Sequence, residues 1–270
     1  MRYLYFLLFL PTFVYATDEP YPIGARSWAM GNSLVAVADR HSIFNNPAGL
    51  GFLQNSFVNT SYHSRFGVSG LQTISISGNY NLKPVNIGFG IDRFGDKLYN
   101  EQRLGLALGK GIGRFSLGVK VNYLQVVIEN LTSRKTFLTE FGVISKISSK
   151  LHAGFHVSNL TGGKLFETQG IPTIIRLGMG FSPTKQILIT VEAERNLNLP
   201  TIVKAGLEYQ IIQNVYLRTG IISKINNAHF GIGFAKKNLI FDYAANTHQS
   251  LGFSHHLSLS YQLTNKEVKP

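Results

Sequence analysis

The sequence predicts an all-β fold, a transmembrane antiparallel β-barrel of about fourteen strands with a small N-terminal plug segment. Two observations carry this prediction. From Ser56 onward, apolar residues alternate with small or polar ones, which is the pattern of strands with two unlike faces. The alternating segments are separated by connections that are tight at every second position and usually longer in between.

The chain begins with the pattern of a secretory signal peptide. Arg2 precedes the apolar run YLYFLLFLPTFVY, and the small residue Ala16 stands at a cleavage position. We expect residues 1–16 to be removed and the mature chain to begin at Thr17; the alternative is a buried N-terminal strand. No later run is long and apolar enough for a helical span. The absence of cysteine excludes a disulfide scaffold and a cysteine-based metal site.

The residue types on the two faces indicate which environments they meet. In VNIGFGID (85–92), FSLGVKVNY (115–123) and ILITVEAE (187–194), large apolar residues take the odd positions. A soluble sheet would place Lys, Glu and Thr on its other face, whereas here that face is mainly Gly, Ser, Asn and Ala. Large apolar residues outside, small polar residues inside and aromatic strand ends are typical of a membrane barrel. Closure is expected, because no unpaired edge can face hydrocarbon.

The predicted strands form an even number, as in bacterial outer-membrane barrels. They lie near residues 56–63, 71–82, 85–93, 101–110, 115–127, 135–147, 151–158, 173–182, 187–195, 201–211, 215–222, 228–235, 239–246 and 253–263. The longer connections, expected outside the cell, are 64–70, 94–100, 128–134, 159–172, 196–200, 223–227 and 247–252. The barrel is thus predicted over 56–263, with 264–270 as a C-terminal periplasmic tail.

The net charge of +12 is distributed along the chain and does not form the basic run of a nucleic-acid site. Many of the cations stand in the tight turns, at Lys83, Lys110, Arg114, Lys150, Lys185, Lys236 and Lys237. There they would meet anionic headgroups of the inner leaflet, although solvated turn charges explain them nearly as well. We therefore expect outer-membrane lipid as a partner and no nucleic acid.

The segment before the first strand, predicted as residues 17–55, does not alternate. Its stretch RSWAMGNSLVAVADRHSIFNNPAGLG (26–51) is rich in Ala, Gly and Asn. A wide barrel has an interior that must be filled or left as a channel, and small residues would pack against a glycine-rich inner face. We predict that this segment is a plug. Its Asn-Pro turn and the following residues form the candidate ligand contact or gate, namely Asn46, Pro47, Ala48, Gly49 and Leu50.

Residues 24–51, GARSWAMGNSLVAVADRHSIFNNPAGLG, resemble the N-terminal signature of the FadL-like outer-membrane barrels. They are more similar still to the PorV/PorQ branch, with its G-A-R-x-x-A-M-G opening, its A-x-A-D and its N-P-A-G-L. The resemblance implies a fourteen-stranded barrel with an N-terminal plug. FadL-like members carry hydrophobic compounds across the outer membrane, whereas PorV/PorQ-like members work with the type IX secretion system. The loops of this chain are shorter than those that capture ligand or cargo in either group.

Charged residues of both signs fall on the predicted inner face, with Glu192 beside Lys204 and Glu208 beside Arg218. Because buried charges need partners, we interpret them as a network that braces the lumen and anchors the plug. The alternative is the selectivity lining of a polar pore. The set comprises Asp92, Arg103, Lys120, Glu140, Arg176, Glu192, Glu194, Lys204, Glu208, Arg218 and Asp242.

No pattern in the sequence indicates catalysis. His152, His156 and His256 share the inner face, but residues four apart on a strand are about 13 Å apart, too far to share a metal. The segment 109–113, GKGIG, partly resembles a phosphate loop but lacks the helix that should follow. With no nucleophile–base motif either, we expect no enzymatic activity, no metal and no cofactor.

Two functional hypotheses follow, and the signature with the short loops places one of them first. It is a PorV/PorQ-type accessory of type IX-like protein export, partnered by secretion subunits. The alternative is a FadL-like channel for a hydrophobic small molecule, in which the 46–50 region belongs to a movable plug. A structural envelope protein is a third reading. Each places the protein in the outer membrane of a Gram-negative cell.

Overall fold

The computed structural model describes residues 22–165, 170–197, 199–223, 225–248 and 251–263. The predicted signal peptide (1–16), the first residues of the predicted plug segment (17–21) and the tail (264–270) lie outside the described residues. Each strand pairs antiparallel with its sequence neighbours, and β1 pairs with β14, so the sheet closes into a barrel of fourteen strands. The predicted fold class and strand number are confirmed.

The strands agree with the predicted segments to within a few residues. They are β1 (Ser56–Ser64), β2 (Gln72–Asn81), β3 (Asn86–Gly95), β4 (Tyr99–Ile112), β5 (Phe115–Ile128), β6 (Thr132–Lys146), β7 (Leu151–Ser158), β8 (Ile174–Phe181), β9 (Ile187–Asn196), β10 (Ile202–Ile212), β11 (Val215–Ile222), β12 (Ile225–Lys236), β13 (Leu239–His248) and β14 (Gly252–Leu263). The predicted outer loops 94–100, 128–134 and 223–227 are too long, because most of their residues extend the flanking strands. Continued pairing satisfies backbone groups that a loop would leave to water.

The alternation separates the two faces of the wall as predicted. On β3 and β4, the outward Ile91 and Leu104 are 51% and 45% exposed, whereas their inward neighbours Asp92 and Arg103 are buried. We call the end of the barrel with the tight connections the turn end and the opposite end the loop end. Exposed aromatic rings stand near the turn end at Tyr80, Phe115, Phe181, Tyr209, Phe234 and Tyr261, and near the loop end at Tyr62, Phe137, Phe230 and Phe253. An apolar band between two aromatic girdles is the lipid-facing surface of a barrel.

Residues 22–52 fold inside the barrel as short pieces: α1 (Ala25–Ala29), α2 (Ser42–Asn45) and a 3₁₀ helix (Pro47–Phe52). Helices this short are unstable alone, so wall contacts must hold them. α1 packs on β12 and β13, and the 3₁₀ helix packs on β4 and β5. Among the described residues, no helix is long and apolar enough to cross a bilayer. We refer to residues 22–52 as the plug.

Candidate functional site: the plugged lumen

Wall glycines let the plug backbone lie directly against the strands. A Cβ added at Gly118 would overlap the backbone of Pro47 and Ala48, and one at Gly220 would overlap the backbone of Gly31. Gly31 itself has a φ of 62°, a conformation that glycine adopts without strain. At these positions the glycine-rich inner face leaves room for main chain, which a side chain would fill.

Asn46, in the predicted gate, is fully buried and fixes the turn between α2 and the 3₁₀ helix. Its Nδ2 donates to the carbonyl oxygens of Val35, at 2.7 Å, and Phe155, at 3.2 Å. Its Oδ1 accepts a hydrogen bond from the Ala48 amide at 3.1 Å, which caps the 3₁₀ helix. One side chain therefore joins two parts of the plug to β7.

The rest of the predicted gate, Pro47–Leu50, is buried, and two of its carbonyl groups are bonded to the wall. Ser116 Oγ donates to the Ala48 carbonyl at 2.5 Å, and Asn86 Nδ2 donates to the Leu50 carbonyl. Gly49 lies against Ser42, where a Cβ would clash. In this conformation the 46–50 region is a docked part of the plug.

Two plug arginines bind carboxylates of the wall. Arg26 binds Glu208 through two hydrogen bonds, Nε to Oε2 at 2.8 Å and Nη2 to Oε1 at 2.7 Å. Arg40 pairs with Asp242. Arg218 joins the two carboxylates, with Nε 2.5 Å from Glu208 Oε2 and Nη1 2.8 Å from Asp242 Oδ1. We call these five residues the plug latch. That the lumen charges anchor the plug through these contacts stays a prediction.

A second ion cluster holds the middle of the plug. Lys204 is directly opposite Glu192 in the sheet and lies 3.3 Å from its carboxylate and 2.5 Å from that of Glu194. The other Glu192 oxygen accepts the amide of Val35 at 2.9 Å. The pairings of Glu192 with Lys204 and of Glu208 with Arg218 were both expected from the sequence.

A third cluster lies within the wall around Glu140. Its carboxylate accepts Lys120 Nζ at 3.1 Å, Asn122 Nδ2 at 2.6 Å and His156 Nε2 at 2.9 Å. Arg176 Nη2 lies 2.7 Å from His156 Nδ1. Because a guanidinium can only donate, Nδ1 accepts and Nε2 carries the proton donated to Glu140. This cluster braces β5–β8 against one another.

Arg103, also in the predicted set, lies opposite Asp92 on the neighbouring strand but forms no ion pair with a described residue. Its Nε is buried, and no described atom accepts its proton. Arg103 therefore differs from the other predicted lumen cations, each of which bonds to a carboxylate or to His156.

A stack of rings lies in the lumen near the loop end, and of its members the sequence analysis had placed only His256 inside. The indole of Trp28 lies 4.1 Å from the His256 ring, which lies 3.7 Å from the ring of its cross-strand partner His63. Trp28 Nε1 donates to the Pro22 carbonyl at 2.8 Å. The parity of β1 places His63 inward, so the contact between the His63 and His256 rings could have been predicted from the sequence.

His41, in the plug, is buried beside the plug latch. Neither ring nitrogen has a hydrogen-bond partner among the described residues. Burial lowers the pKa of His41 to about 4, and the nearby Arg40 guanidinium acts in the same direction. The docked plug therefore holds this imidazole in its neutral form.

An apolar cluster inside the lumen at the loop end is a second feature that the sequence analysis missed. Leu124 and Val126 of β5 and Leu138 of β6 point inward, and Leu165 and Ile171 of the β7–β8 connection pack on them. The signal was present: Leu124 and Val126 have the opposite parity to the lipid-facing residues of β5, yet are apolar. The inner face is therefore not polar along its whole height.

Two small cavities border these features. One lies between Arg103, Leu138 and Ile171, and the other lies beside Trp28 and His63. Each has a volume of about 10 Å³, which is room for roughly one water molecule. Neither has room for a hydrophobic ligand while the plug is docked.

The remaining predicted candidates lie apart from one another. His152 is at the turn end, His156 binds Glu140, and His256 belongs to the Trp28 stack. Within the described residues, no group of three His, Asp or Glu side chains is arranged to hold a metal ion. Residues 109–113 form the end of β4 and its turn, with no helix behind them.

The chain is similar in fold to solved structures of transporters. The toluene transporter TbuX of Ralstonia pickettii has a TM-score of 0.72 at 10% identity, covering 90% of this chain and 99% of that chain. The toluene transporter TodX of Pseudomonas putida has a TM-score of 0.68 at 11% identity, covering 92% and 98%. A FadL homologue of Pseudomonas aeruginosa has a TM-score of 0.63 at 12% identity, covering 90% and 98%.

No protein-family model matches the sequence, and no curated protein matches it. At 10–12% identity, likeness to the solved structures establishes the fold alone. That fold is a closed fourteen-stranded antiparallel barrel, similar to these transporters and to the FadL homologue.

Proposed function

We propose that this protein is a non-enzymatic outer-membrane conduit for a hydrophobic small molecule, whose passage requires displacement of the plug. The observation that carries the proposal is the apolar cluster of Leu124, Val126, Leu138, Leu165 and Ile171 inside the lumen. A lumen lined solely by charges would repel an apolar compound, whereas this cluster offers it a dry surface at the loop end. The transporters TbuX and TodX, which share the fold, support the same reading.

The cluster also suggests a direction of passage. It lies at the loop end, the expected outer side of the membrane, while the plug latch and the 46–50 region lie deeper in the lumen. A compound would first displace the β7–β8 connection from the cluster and would then meet the docked plug. The cavity beside the apolar cluster and the cavity beside the docked plug are both small. In this proposal the β7–β8 connection and the plug therefore both move for the compound to pass.

Uptake by whole cells tests the proposal. A host that lacks its own transporter of this kind would express the chain and be given a radiolabelled monoaromatic hydrocarbon. We expect uptake above the empty-vector level, and a roughly ten-fold loss in Leu138→Asn, which places an amide in the apolar cluster. Leu131→Asn is the matched control, because Leu131 is 80% exposed at the tip of the same hairpin. Uptake at the vector level, or equal uptake by both variants, would refute the proposal.

A second candidate is the PorV/PorQ-type partner of type IX-like secretion, supported by the signature in residues 24–51 and by the short loops. The structural neighbours support the transport hypothesis better, which reverses the order of the two hypotheses drawn from the sequence. Affinity purification from detergent-solubilised envelope separates them. Stoichiometric recovery of secretion subunits, together with vector-level hydrocarbon uptake, would favour the secretion role.

A further inference from the structure

The turn end of the barrel is basic, and in the described chain no acidic residues lie beside its cations. In the described part of the chain, eight exposed cations lie there: Lys83, Lys110, Arg114, Lys146, Lys150, Lys185, Lys236 and Lys237. Every Asp and Glu of the described residues lies in the lumen or at the loop end. None of the eight cations forms an ion pair with a described residue. The rim thus carries charge of one sign that nothing in the described chain neutralises.

Four of these cations lie on three successive turns. Lys110 and Arg114 flank the β4–β5 turn, Lys150 ends the β6–β7 turn, and Lys185 lies in the β8–β9 turn. The turns are joined through the main chain. The Lys146 amide donates to the Arg114 carbonyl at 2.8 Å, and Ser182 donates to the Lys150 carbonyl at 2.8 Å. We call Lys110, Arg114, Lys150 and Lys185 the basic arc.

The basic arc adjoins the lipid-facing surface. Lys110 has the same parity on β4 as the lipid-facing Leu106 and Leu108, so it lies in an outward row of apolar side chains, one position before the exposed Ile112 that ends the strand. Phe115 and Phe181, in the aromatic girdle, are exposed beside the first and third turns. A cation at the end of a lipid-facing row extends to the headgroup region. Lys146 is different, because its ammonium lies over the Phe52 ring of the plug at 3.9 Å.

From this geometry we infer that the basic arc is a binding site for the phosphate headgroups of anionic phospholipids in the leaflet at the turn end. Several unpaired cations beside an apolar band match an anionic headgroup together with its acyl chains. A free anion would neutralise the cations but would make no contact with the aromatic girdle. The inference stands independently of the transported compound.

Native mass spectrometry of the purified full chain in detergent tests the inference. The protein would be mixed with equimolar phosphatidylglycerol and phosphatidylcholine, and the retained lipids counted. We expect phosphatidylglycerol to be retained at least about ten-fold more than phosphatidylcholine. The variant K110Q/R114Q/K150Q/K185Q should lose most of this preference, because each cation contributes separately to the attraction.

The matched control removes four exposed cations from the loop end, in K97Q/K135Q/K164Q/R195Q. It should keep the preference, and both variants should retain the heat-modifiable gel mobility of a folded barrel. If the quadruple arc variant does not fold, K110Q/R114Q and K150Q/K185Q should each lose part of the preference. No preference in the parent protein, an equal loss in the control, or full displacement of the lipid by inorganic phosphate would overturn the inference.

Discussion

Removing the Arg26 guanidinium should release the first part of the plug. Arg26 makes two hydrogen bonds to Glu208 and one to Asp39 at 3.0 Å, and its side chain is 13% exposed. Arg26→Gln leaves a buried carboxylate of the wall short of one partner. Breaking a buried pair costs about 3–5 kcal/mol. Since Arg218 still binds Glu208, we expect the lower end, about 3 kcal/mol in the free energy of plug opening.

The chain contains no cysteine, so a single introduced thiol reports plug opening without interference. Ser33→Cys is a conservative reporter, because Ser33 is 1% exposed and its Oγ contacts Thr190 of the wall at 2.6 Å. The measurement is the rate of maleimide labelling in detergent. A loss of about 3 kcal/mol corresponds to labelling roughly 100-fold faster in Arg26→Gln.

Lys97→Gln is the control, because Lys97 is exposed at the loop end and distant from the plug. It should label at the parent rate. If Arg26→Gln also labels at the parent rate while the barrel remains folded, the plug latch does not hold the plug. The anchoring interpretation of the lumen charges would then be wrong.

Three further predictions use the same labelling assay. Gly118→Ala should lower the free energy of plug opening by about 1–3 kcal/mol, because the added methyl group overpacks the contact with the plug. Gly180→Ala should leave it unchanged, because a Cβ there meets no atom nearer than 3.6 Å. Asn46→Ala should lower the free energy of plug opening by about 1–3 kcal/mol, because it leaves buried backbone groups without hydrogen-bond partners. Asn55→Ala, at an exposed position, should not change it. The pKa of His41 is about 4 when docked and 6.5 when free, so its contribution to docking is complete above pH 6.5 and declines as the pH falls toward 4. As the pH falls from 6.5 toward 4, the labelling rate of the thiol introduced at position 33 should rise relative to that of a free thiol. His41→Leu should make this rise smaller.

Much of the fold could be predicted because membrane barrels impose local rules on sequence. Each strand needs an apolar outward row and a small or polar inward row, so parity alone places residues such as Leu106 and Asp92 on their faces. The same parity, with neighbouring strands paired antiparallel, anticipates Glu208 opposite Arg218. Turn positions follow from where the alternation stops.

The plug contacts could not be predicted in the same way. No periodicity relates Arg26 to Glu208, which are 182 residues apart, or Asn46 to Phe155. These pairings depend on the path of an irregular segment through the lumen, which many alternative packings of small residues would satisfy locally. The apolar cluster was missed for another reason. The inner face was treated as uniform, although the parity of Leu124 already placed an apolar side chain inside.

Locking the plug tests most directly the claim that passage requires its displacement. Ser33→Cys with Thr190→Cys would form a disulfide between plug and wall, where the parent hydroxyl oxygens are 2.6 Å apart. Ser61→Cys with Ser258→Cys, from hydroxyls 2.9 Å apart on β1 and β14, would form a disulfide within the wall as the matched control. We predict that oxidation abolishes hydrocarbon uptake in the first pair, that a reductant restores it, and that the second pair transports in both states. Undiminished uptake through the oxidised plug–wall pair would contradict the account.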